Sequence, residues 1–321
     1  MNYDIFNGDA DGIIALLQLR LAEPKESILV TGVKRDIKLV EKVSLKAGDK
    51  LTVLDISMEK NIHGLANALE ASAEVFYVDH HRTGELPQSE LLETHIDLDA
   101  NTCTALIVDK LLDGRFHDWA ITAAYGDNLI QKADELADAA GFDGLQKDFL
   151  KELGTLVNYN GYGATIDDLH FHPAELYKLL LAYSSPFDVL EDKNSPYFAL
   201  KNAYELDLEQ ALAIEAKYNS GTLAVFELPD NSASRRISGV FGNLLANRSP
   251  NKAHAVLTRN QDETFTVSLR APLNNKQGAG DICSSFDTGG GRAAAAGINK
   301  LPYPSLEKFI NAVEEFYAEN Q

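Results

Sequence analysis

The chain has 321 residues, of which 45% are apolar and 24% charged, and this is the composition of a globular protein long enough for two domains. Acidic residues outnumber basic ones 48 to 29, and the net charge of −19 repels a polyanion unless positive charge is concentrated locally. Long duplex nucleic acid is therefore excluded as an expected partner. A small phosphorylated molecule is not, because a few arginines and bound metal ions can dominate the field inside a pocket.

The cysteines and the N-terminus point to a reducing compartment. Cys103 and Cys283 stand far apart in the sequence, and such a pair predicts no disulfide framework. The first residues lack the basic start and apolar stretch of a signal peptide, and no run approaches the roughly 20 apolar residues of a membrane span. We expect a soluble cytoplasmic protein without a membrane partner.

The first hundred residues alternate between strand-like and helix-like patterns. The predicted strands cover residues 3–6, 28–31, 51–54, 75–78 and 95–98, and the predicted helices cover residues 12–22, 37–45 and 62–71. Such alternation predicts an α/β fold, namely a doubly wound, mostly parallel sheet with helices on both faces.

Three of these strands run directly into acidic residues. The residues concerned are Asp9 and Asp11, then Asp55, then Asp79 with His80 and His81. The carboxyl ends of parallel strands share one edge of a sheet, and carboxylates and imidazoles are ligands for divalent metals. Each aspartate alone is also a good cap for the following helix. Three acidic strand ends together, one with adjacent histidines, favour a metal site.

The chain is predicted to be helical after Asn101, with helices at 102–112 and 119–140. The second is interrupted by Gly126-Asp127-Asn128, and a costly Gly-Asp pair predicts a local reason such as close approach to a ligand; the alternative is a tolerated glycine and a solvated acid. Residues 158–163 have the composition of a loop. His170 and His172 are expected to be ordinary residues, because no third ligand lies near them in sequence.

A domain boundary is expected between residues 190 and 221, because a predicted helix at 206–218 meets the stop signal Asn219-Ser220-Gly221 there. We therefore predict a first domain at 1–190, which carries the acidic strand ends, a helical linker at 191–221 and a smaller α/β domain at 222–321. The smaller domain has predicted strands at 222–226, 253–258 and 264–269, and predicted helices at 237–246 and 305–317.

A glycine run in the second domain has the features of a phosphate site. Gly289, Gly290, Gly291 and Arg292 precede an alanine-rich stretch that we predict to be a helix. Backbone amides at a helix N-terminus bind anions, and arginine offers a planar pair of donors to phosphate. A glycine-rich turn alone is weak evidence, but Arg270, just past a predicted strand, strengthens it.

These motifs together resemble a known family. Asp9-x-Asp11-Gly12, Asp55, Asp79-His80-His81 and Asp127 resemble the four motifs of the DHH superfamily of phosphoesterases. Ser268-Leu269-Arg270 and the glycine run with Ala295-Ala296-Gly297 resemble its associated C-terminal substrate-binding domain. The superfamily includes nanoRNases, pAp phosphatases, cyclic-dinucleotide phosphodiesterases, single-strand exonucleases, exopolyphosphatases and manganese pyrophosphatases.

The resemblance implies a role for each motif residue. Two Mn²⁺ ions, replaceable by Mg²⁺ or Co²⁺, would be held by Asp9 and Asp55 on one side and by Asp11, Asp55, His80 and Asp127 on the other. Asp79 would orient His80. His81 would face the substrate, which Arg270, Gly289, Gly290, Gly291 and Arg292 would also bind.

Two positions depart from the family pattern. Asn7 stands where most members have histidine, which implies a weaker or water-mediated ligand. Arg292 stands where members commonly have histidine, and its bidentate donors suit a terminal phosphate or a guanine edge.

The expected function is a metal-dependent phosphodiesterase that cuts very short oligonucleotides or linear dinucleotides, such as pGpG, to mononucleotides. Within the superfamily, pAp phosphatase, cyclic-dinucleotide phosphodiesterase and exopolyphosphatase are the alternatives. Outside catalysis, the alternative is a nucleotide sensor with a degraded metal site. A single-strand exonuclease subunit is less favoured, because no basic groove with interleaved aromatics is visible. The sequence leaves open whether the chain forms a homodimer.

Overall fold

The computed structural model describes residues 1–318 and divides into two compact units, Met1–Asn202 and Ala203 onward. The division falls inside one helix, Pro196–Leu212. The domain limits expected from the sequence, with a linker at 191–221, stay a prediction. Each unit is described by itself.

The first unit is built on a parallel five-stranded sheet. Its strands are β1 (Asn2–Phe6), β2 (Ile28–Val30), β3 (Lys50–Leu54), β4 (Glu74–Asp79) and β5 (Leu92–Ile96), in the order β2-β1-β3-β4-β5. The predicted α/β class with a parallel sheet is confirmed. Because β1, β3 and β4 are neighbours, the three acidic strand ends lie side by side.

Helices cover the rest of this unit. They are α1 (Ala10–Ala22), α2 (Ile62–Glu70), α3 (Thr104–Leu111), α4 (His117–Gly126), α5 (Ile130–Ala139), α6 (Gly144–Asn160), α7 (Pro173–Leu180), α8 (Pro186–Glu191) and α9 (Pro196–Leu212). The predicted helix at 37–45 is wrong: only a 3₁₀ turn forms at Val40–Lys42, and Val43 is already extended. Part of the predicted loop at 158–163 is instead the end of α6.

Two apolar layers hold this unit together. One sheet face packs α2 through residues such as Leu65 against Ile5, Val53 and Tyr77, all fully buried. Helix α1 is buried along nearly its whole length, because α3, α4, α6 and α7 surround it. A helix that is apolar on all sides requires such an environment.

The glycine before Asp127 is explained by helix packing. A Cβ on Gly126 would lie 2.6 Å from the Cβ of Ala10, and one on Gly154 would lie 2.1 Å from the Thr122 carbonyl oxygen. Helices α4 and α6 therefore touch through their backbones. The glycine serves this contact between helices, and the close approach of a ligand to the Gly-Asp pair stays a prediction.

A buried ion pair crosses the first unit from the sheet to α1. Asp4 on β1 is 1% exposed and Arg20 on α1 is 5% exposed. Arg20 Nε donates to Asp4 Oδ2 at 2.9 Å, and its Nη2 donates to the other carboxylate oxygen.

The second unit has a mixed six-stranded sheet. Its strands are β6 (Tyr218–Asn219), β7 (Leu223–Leu228), β8 (Ala253–Arg259), β9 (Thr264–Arg270), β10 (Gly289–Gly291) and β11 (Ala295–Pro302), in the order β10-β11-β9-β8-β7-β6. Its helices are α10 (Ser232–Arg248), α11 (Ala279–Ser284) and α12 (Leu306–Ala318). The main core lies under α12, where Phe309 and Val313 pack on Val225, Leu257 and Val267.

The predicted helix after the glycine run is wrong. Gly289–Gly291 is itself a strand, antiparallel to β11, and Gly291 pairs with Ala296. A Cβ at Gly289 would lie 1.8 Å from the Cys283 carbonyl oxygen, and Gly291 has a φ of 145°. The glycines thus permit close backbone contacts within the sheet, and the run opens no helix N-terminus for an anion.

Along residues 1–318, every helix is too short or too polar to cross a lipid bilayer.

Candidate metal centre

The ends of β1, β3 and β4 bring the predicted acidic residues to one edge of the first sheet. The strands end level, since Phe6 pairs with Leu54 and Leu54 pairs with Val78. The backbone bond from Asp55 N to the Val78 carbonyl oxygen, 3.1 Å long, extends this register past β3. The residues thus placed and buried are Asn7, Asp9, Asp11, Asp55, Asp79 and His80.

Asp55 lies at the centre of this group. Its Oδ1 is 3.3 Å from His80 Nε2 and 3.8 Å from His81 Nδ1. One donor atom from each of Asp55, His80 and His81 lies within 4.8 Å of the others, a spacing that can hold a metal ion. Asp55 has a φ of 58°, a left-handed conformation in which aspartate and asparagine are enriched among residues with a Cβ. The chain therefore turns sharply after β3 and directs this carboxylate at the histidines.

The two histidines have different supports. His80 Nδ1 lies 3.0 Å from the Thr102 carbonyl oxygen, which only accepts, so Nδ1 carries the proton and the neutral ring has its lone pair on Nε2. His81 Nδ1 lies 2.7 Å from Asp79 Oδ1. This corrects the role expected for Asp79: its carboxylate orients His81, and the Thr102 carbonyl orients His80.

Asp11 is fixed by the start of α3. Its Oδ2 accepts from the Thr104 backbone N–H at 2.8 Å, and its Oδ1 accepts from the Ala105 N–H at 2.7 Å. Asp11 Oδ2 also lies 3.6 Å from His80 Nε2. A carboxylate at a helix N-terminus is favoured electrostatically, and each oxygen keeps a further acceptor position.

Asp9 has a cationic partner that the sequence did not predict. Its Oδ1 caps α1 by accepting from Gly12 N at 3.1 Å, and its Oδ2 accepts from Lys34 Nζ at 2.5 Å. Lys34 Nζ also donates to Asn158 Oδ1 at 3.1 Å. The sequence did contain one indication of this contact. Lys34 follows the second predicted strand, just as the aspartates follow the first, third and fourth, so it could be expected at the same edge of the sheet.

Asp127 ends α4 and is half-buried. Its negative charge contributes to the raised pKa values of Asp55 and of the Lys34 ammonium, and it opposes the net lowering of the pKa of Asp9. Asp127 is therefore an electrostatic neighbour of the group at the sheet edge, although a different element supplies it.

Burial and mutual repulsion dominate the electrostatics of the site. Burial, followed by the charges of Asp11, Asp9, Asp79 and Asp127, raises the pKa of Asp55 well above its usual range. Burial is also the largest single effect on the pKa of Asp9 and acts to raise it, but the charge of Lys34 and the hydrogen bonds with Lys34 and Asp55 together outweigh it, so the net shift is downward. Buried carboxylates at this density require a compensating cation.

Two buried polar atoms at the site have no hydrogen-bond partner among the described residues: Asn7 Oδ1 and Asp79 Oδ2. The Asn7 amide nitrogen donates to the Lys34 carbonyl oxygen at 3.3 Å. The set implied by the motif resemblance, Asp11, Asp55, His80 and Asp127, is of the oxygen and imidazole type that suits Mn²⁺ or Mg²⁺. The structure places Asp55 and Asp11 oxygens 3.3 and 3.6 Å from His80 Nε2, and the role of Asp127 as a ligand stays a prediction. The residues present thus fit one such ion, while the Asp9 side already carries the Lys34 ammonium.

His170 and His172 take structural places, as expected. His170 Nε2 lies 2.9 Å from the Tyr159 hydroxyl, and His172 Nδ1 accepts from Ala174 N at 3.1 Å at the start of α7.

In the second unit, Arg270 is buried and bound within its own fold. Its Nε donates to Asn243 Oδ1 at 2.5 Å, its Nη1 to Ser268 Oγ at 2.9 Å and its Nη2 to the Gly239 carbonyl oxygen at 3.1 Å. These bonds hold α10 on β9. Arg292 is half-buried in the turn between β10 and β11, where its N–H donates to the Ala295 carbonyl oxygen at 2.9 Å. Substrate binding by both arginines and by Gly289, Gly290 and Gly291 stays a prediction.

No protein-family model matches the sequence, and no curated protein matches it. Solved structures match over nearly the full length. The pGpG-specific phosphodiesterase PggH from Vibrio cholerae superimposes with a TM-score of 0.57 at 15% identity, covering 100% of both chains. Exonuclease RecJ bound to manganese gives 0.58 at 16% identity, over 99% of this chain and 90% of that one.

An exopolyphosphatase-related protein from Bacteroides fragilis gives a TM-score of 0.53 at 14% identity, over 99% of this chain and 92% of that one. The chain therefore shares its fold with these three solved structures. The fold expected from the motif resemblance is confirmed.

Proposed function

We propose that the protein is a metal-dependent phosphodiesterase that hydrolyses linear dinucleotides such as pGpG, or comparably short oligonucleotides, to mononucleotides. The observation that carries this proposal is the convergence of Asp55, His80 and His81 donor atoms within 4.8 Å at one sheet edge. The fold it shares with PggH supports it. The net charge of −19 favours a short substrate over a long polyanion.

The chemistry follows from the donor set. A divalent cation bound by Asp11, Asp55, His80 and Asp127 would supply a water of lowered pKa and neutralise charge on the phosphate. Asp55 is central to this set, because its Oδ1 lies 3.3 Å from His80 Nε2 and 3.8 Å from His81 Nδ1.

His81 is placed to handle a proton. Asp79 accepts from its Nδ1, so its Nε2 carries the lone pair in the neutral ring. Its side chain is 29% exposed, whereas that of His80 is 3% exposed. His81 can therefore meet a substrate and pass a proton to or from a phosphate or leaving oxygen at Nε2. Hydrolysis of pGpG adds the water oxygen to phosphorus, returns a proton to the leaving oxygen and yields two mononucleotides.

The test compares initial rates in Mn²⁺ on a panel: pGpG, pApA, longer RNAs, pAp, cyclic dinucleotides, polyphosphate and pyrophosphate. We expect the fastest rates on the dinucleotides and little turnover of long RNA. The Asp55→Asn variant, assayed in parallel, controls for contaminating nucleases. Turnover restricted to polyphosphate, pyrophosphate, pAp or cyclic dinucleotides would select the corresponding alternative, and tight nucleotide binding without turnover would indicate a sensor.

A further inference from the structure

We propose that the Lys34 ammonium takes the place of one of the two divalent ions, so that the chain binds a single ion at Asp11, Asp55, His80 and Asp127. This inference rests on the proposed function and concerns the same site. It differs from the two-ion expectation drawn from the family resemblance.

Both oxygens of Asp9 accept a hydrogen bond, as those of Asp11 do, but one of the donors to Asp9 is a cation. Oδ1 accepts from Gly12 N at 3.1 Å and so caps α1, while Oδ2 accepts from Lys34 Nζ at 2.5 Å. Asp9 is the carboxylate that, with Asp55, was expected to hold the first ion. A divalent ion bound there would have to displace the ammonium or share an oxygen with it, and like charges so close repel strongly in a poorly solvated site.

Lys34 is held in place by several contacts. Its Nζ donates to Asn158 Oδ1 at 3.1 Å and lies 5.4 Å from the centre of the Tyr162 ring. Its backbone N–H donates to the Gly161 carbonyl oxygen at 2.7 Å. Asn158 itself is 1% exposed. The end of α6 and the loop that follows thus fix the position of the Lys34 side chain.

The packing of that loop against Asp9 is close. A Cβ on Gly161 would lie 2.9 Å from the Gly8 carbonyl oxygen and 3.0 Å from the Asp9 Cα. The loop that holds Lys34 in place therefore also packs against Asp9, the residue whose carboxylate pairs with Lys34.

Asn7 matches this arrangement. Where an imidazole would bind an ion through nitrogen, Asn7 offers only an amide oxygen, a weaker ligand, and its amide nitrogen donates to the Lys34 carbonyl oxygen at 3.3 Å. Compared with the family pattern, the Asp9 side of the site thus has an amide in place of an imidazole and has the Lys34 ammonium in addition. The other side keeps its donors, with His80 Nε2 at 3.3 Å from Asp55 Oδ1 and 3.6 Å from Asp11 Oδ2.

An ammonium can replace part of what an ion does. It is a fixed positive charge with three N–H donors, suited to a phosphate oxygen. The arrangement therefore predicts a site in which one bound ion and one lysine share the neutralisation of the substrate.

The test measures metal content. Protein stripped with a chelator is titrated with Mn²⁺ by calorimetry, and the loaded protein is analysed for manganese per chain and by electron paramagnetic resonance. We expect one ion per chain and the spectrum of an isolated Mn²⁺. Binding of two ions with an exchange-coupled spectrum, or of none, overturns the inference.

Variants test the cause. The double variant Asn7→His with Lys34→Met is expected to bind a second ion and to give the coupled spectrum. Lys42→Met is the matched control, because Lys42 lies on the same β2–β3 connection as Lys34 but pairs with Asp36, outside the site. This control variant should still bind one ion. A folded double variant that still binds one ion overturns the inference. If that variant fails to fold, the wild-type stoichiometry decides.

The outcome is separable from that of the proposed function. Hydrolysis of pGpG by a protein with two ions sustains the function and removes this inference. One bound ion without turnover of any substrate in the panel does the reverse.

Discussion

His81 Nδ1 lies 2.7 Å from Asp79 Oδ1, and Asp79 is fully buried while His81 is partly exposed. A buried carboxylate thus supports an imidazole that faces outward. This pairing fixes which ring nitrogen carries the proton and stabilises the ring when it is charged.

Asp79→Asn is therefore expected to lower kcat by about 10- to 100-fold, the usual effect of removing such a supporting carboxylate. The number of manganese ions bound per chain should not change, because the Thr102 carbonyl orients His80. Steady-state kinetics and metal analysis check both. Glu93→Gln is the matched control, since Glu93 Oε1 lies 2.7 Å from His95 Nε2 outside the site. Loss of bound metal in Asp79→Asn would contradict the assignment.

Asp55→Asn is expected to abolish turnover yet stabilise the metal-free protein at pH 7. Burial and neighbouring carboxylates raise the pKa of Asp55 in the folded state, so its charged form opposes folding at every pH above the unfolded value. Asparagine removes that charge and tolerates the positive φ. Thermal unfolding in chelator should show a higher Tm for the variant, and saturating Mn²⁺ should reverse the order, because ion binding stabilises only the wild type.

Asp4→Asn is the contrasting control within the same sheet. It leaves the buried Arg20 without its carboxylate and should destabilise the protein by about 3 to 5 kcal/mol. A lower Tm for Asp55→Asn in chelator would show that Asp55 is held by contacts stronger than the repulsion.

The two arginines of the second unit are expected to behave differently. Arg270→Ala leaves the Gly239 carbonyl and Ser268 without a buried donor and should lower the free energy of unfolding by about 1 to 3 kcal/mol. Arg292→Ala should mainly raise KM. Denaturant titration and kinetics separate the effects, and Arg248→Ala, at an exposed arginine, should produce neither. A normal KM in Arg292→Ala would remove it from the substrate site.

His254 predicts a dependence of stability on acid. It is 2% exposed on β8, and burial, with a smaller contribution from the charge of Lys252, lowers its pKa from 6.5 to about 4. The folded state therefore favours neutral His254. Its contribution is complete above pH 6.5 and is lost as the pH falls towards 4, by about 2 kcal/mol between pH 7 and pH 5. His254→Leu should remove this part of the dependence in denaturant titrations at both values, and His63→Gln, at an exposed histidine, should not.

The sequence predicted what local pattern encodes. Alternating strands and helices predicted the parallel sheet, and the acids after β1, β3 and β4 predicted a common edge. The partners of those acids were not predictable in the same way. Lys34 and Asn158 are separated by 124 residues, and nothing local links them. That Asp79 contacts His81 and not His80 depends on the directions in which the side chains point at the end of β4, which the sequence does not encode locally. The prediction of a helix after the glycine run was wrong, because a stretch of glycine and alanine has no hydrophobic periodicity that distinguishes a strand from a helix.

The two backbone N–H groups on Asp11 have a consequence for the choice of ion. Because Thr104 and Ala105 hold both oxygens, this carboxylate cannot rotate to suit a larger cation without moving the start of α3. Mg²⁺ binds oxygen at about 2.0 to 2.1 Å and Ca²⁺ at about 2.3 to 2.6 Å. Discrimination by ionic radius at this site would therefore be set by the packing of α3 against α1.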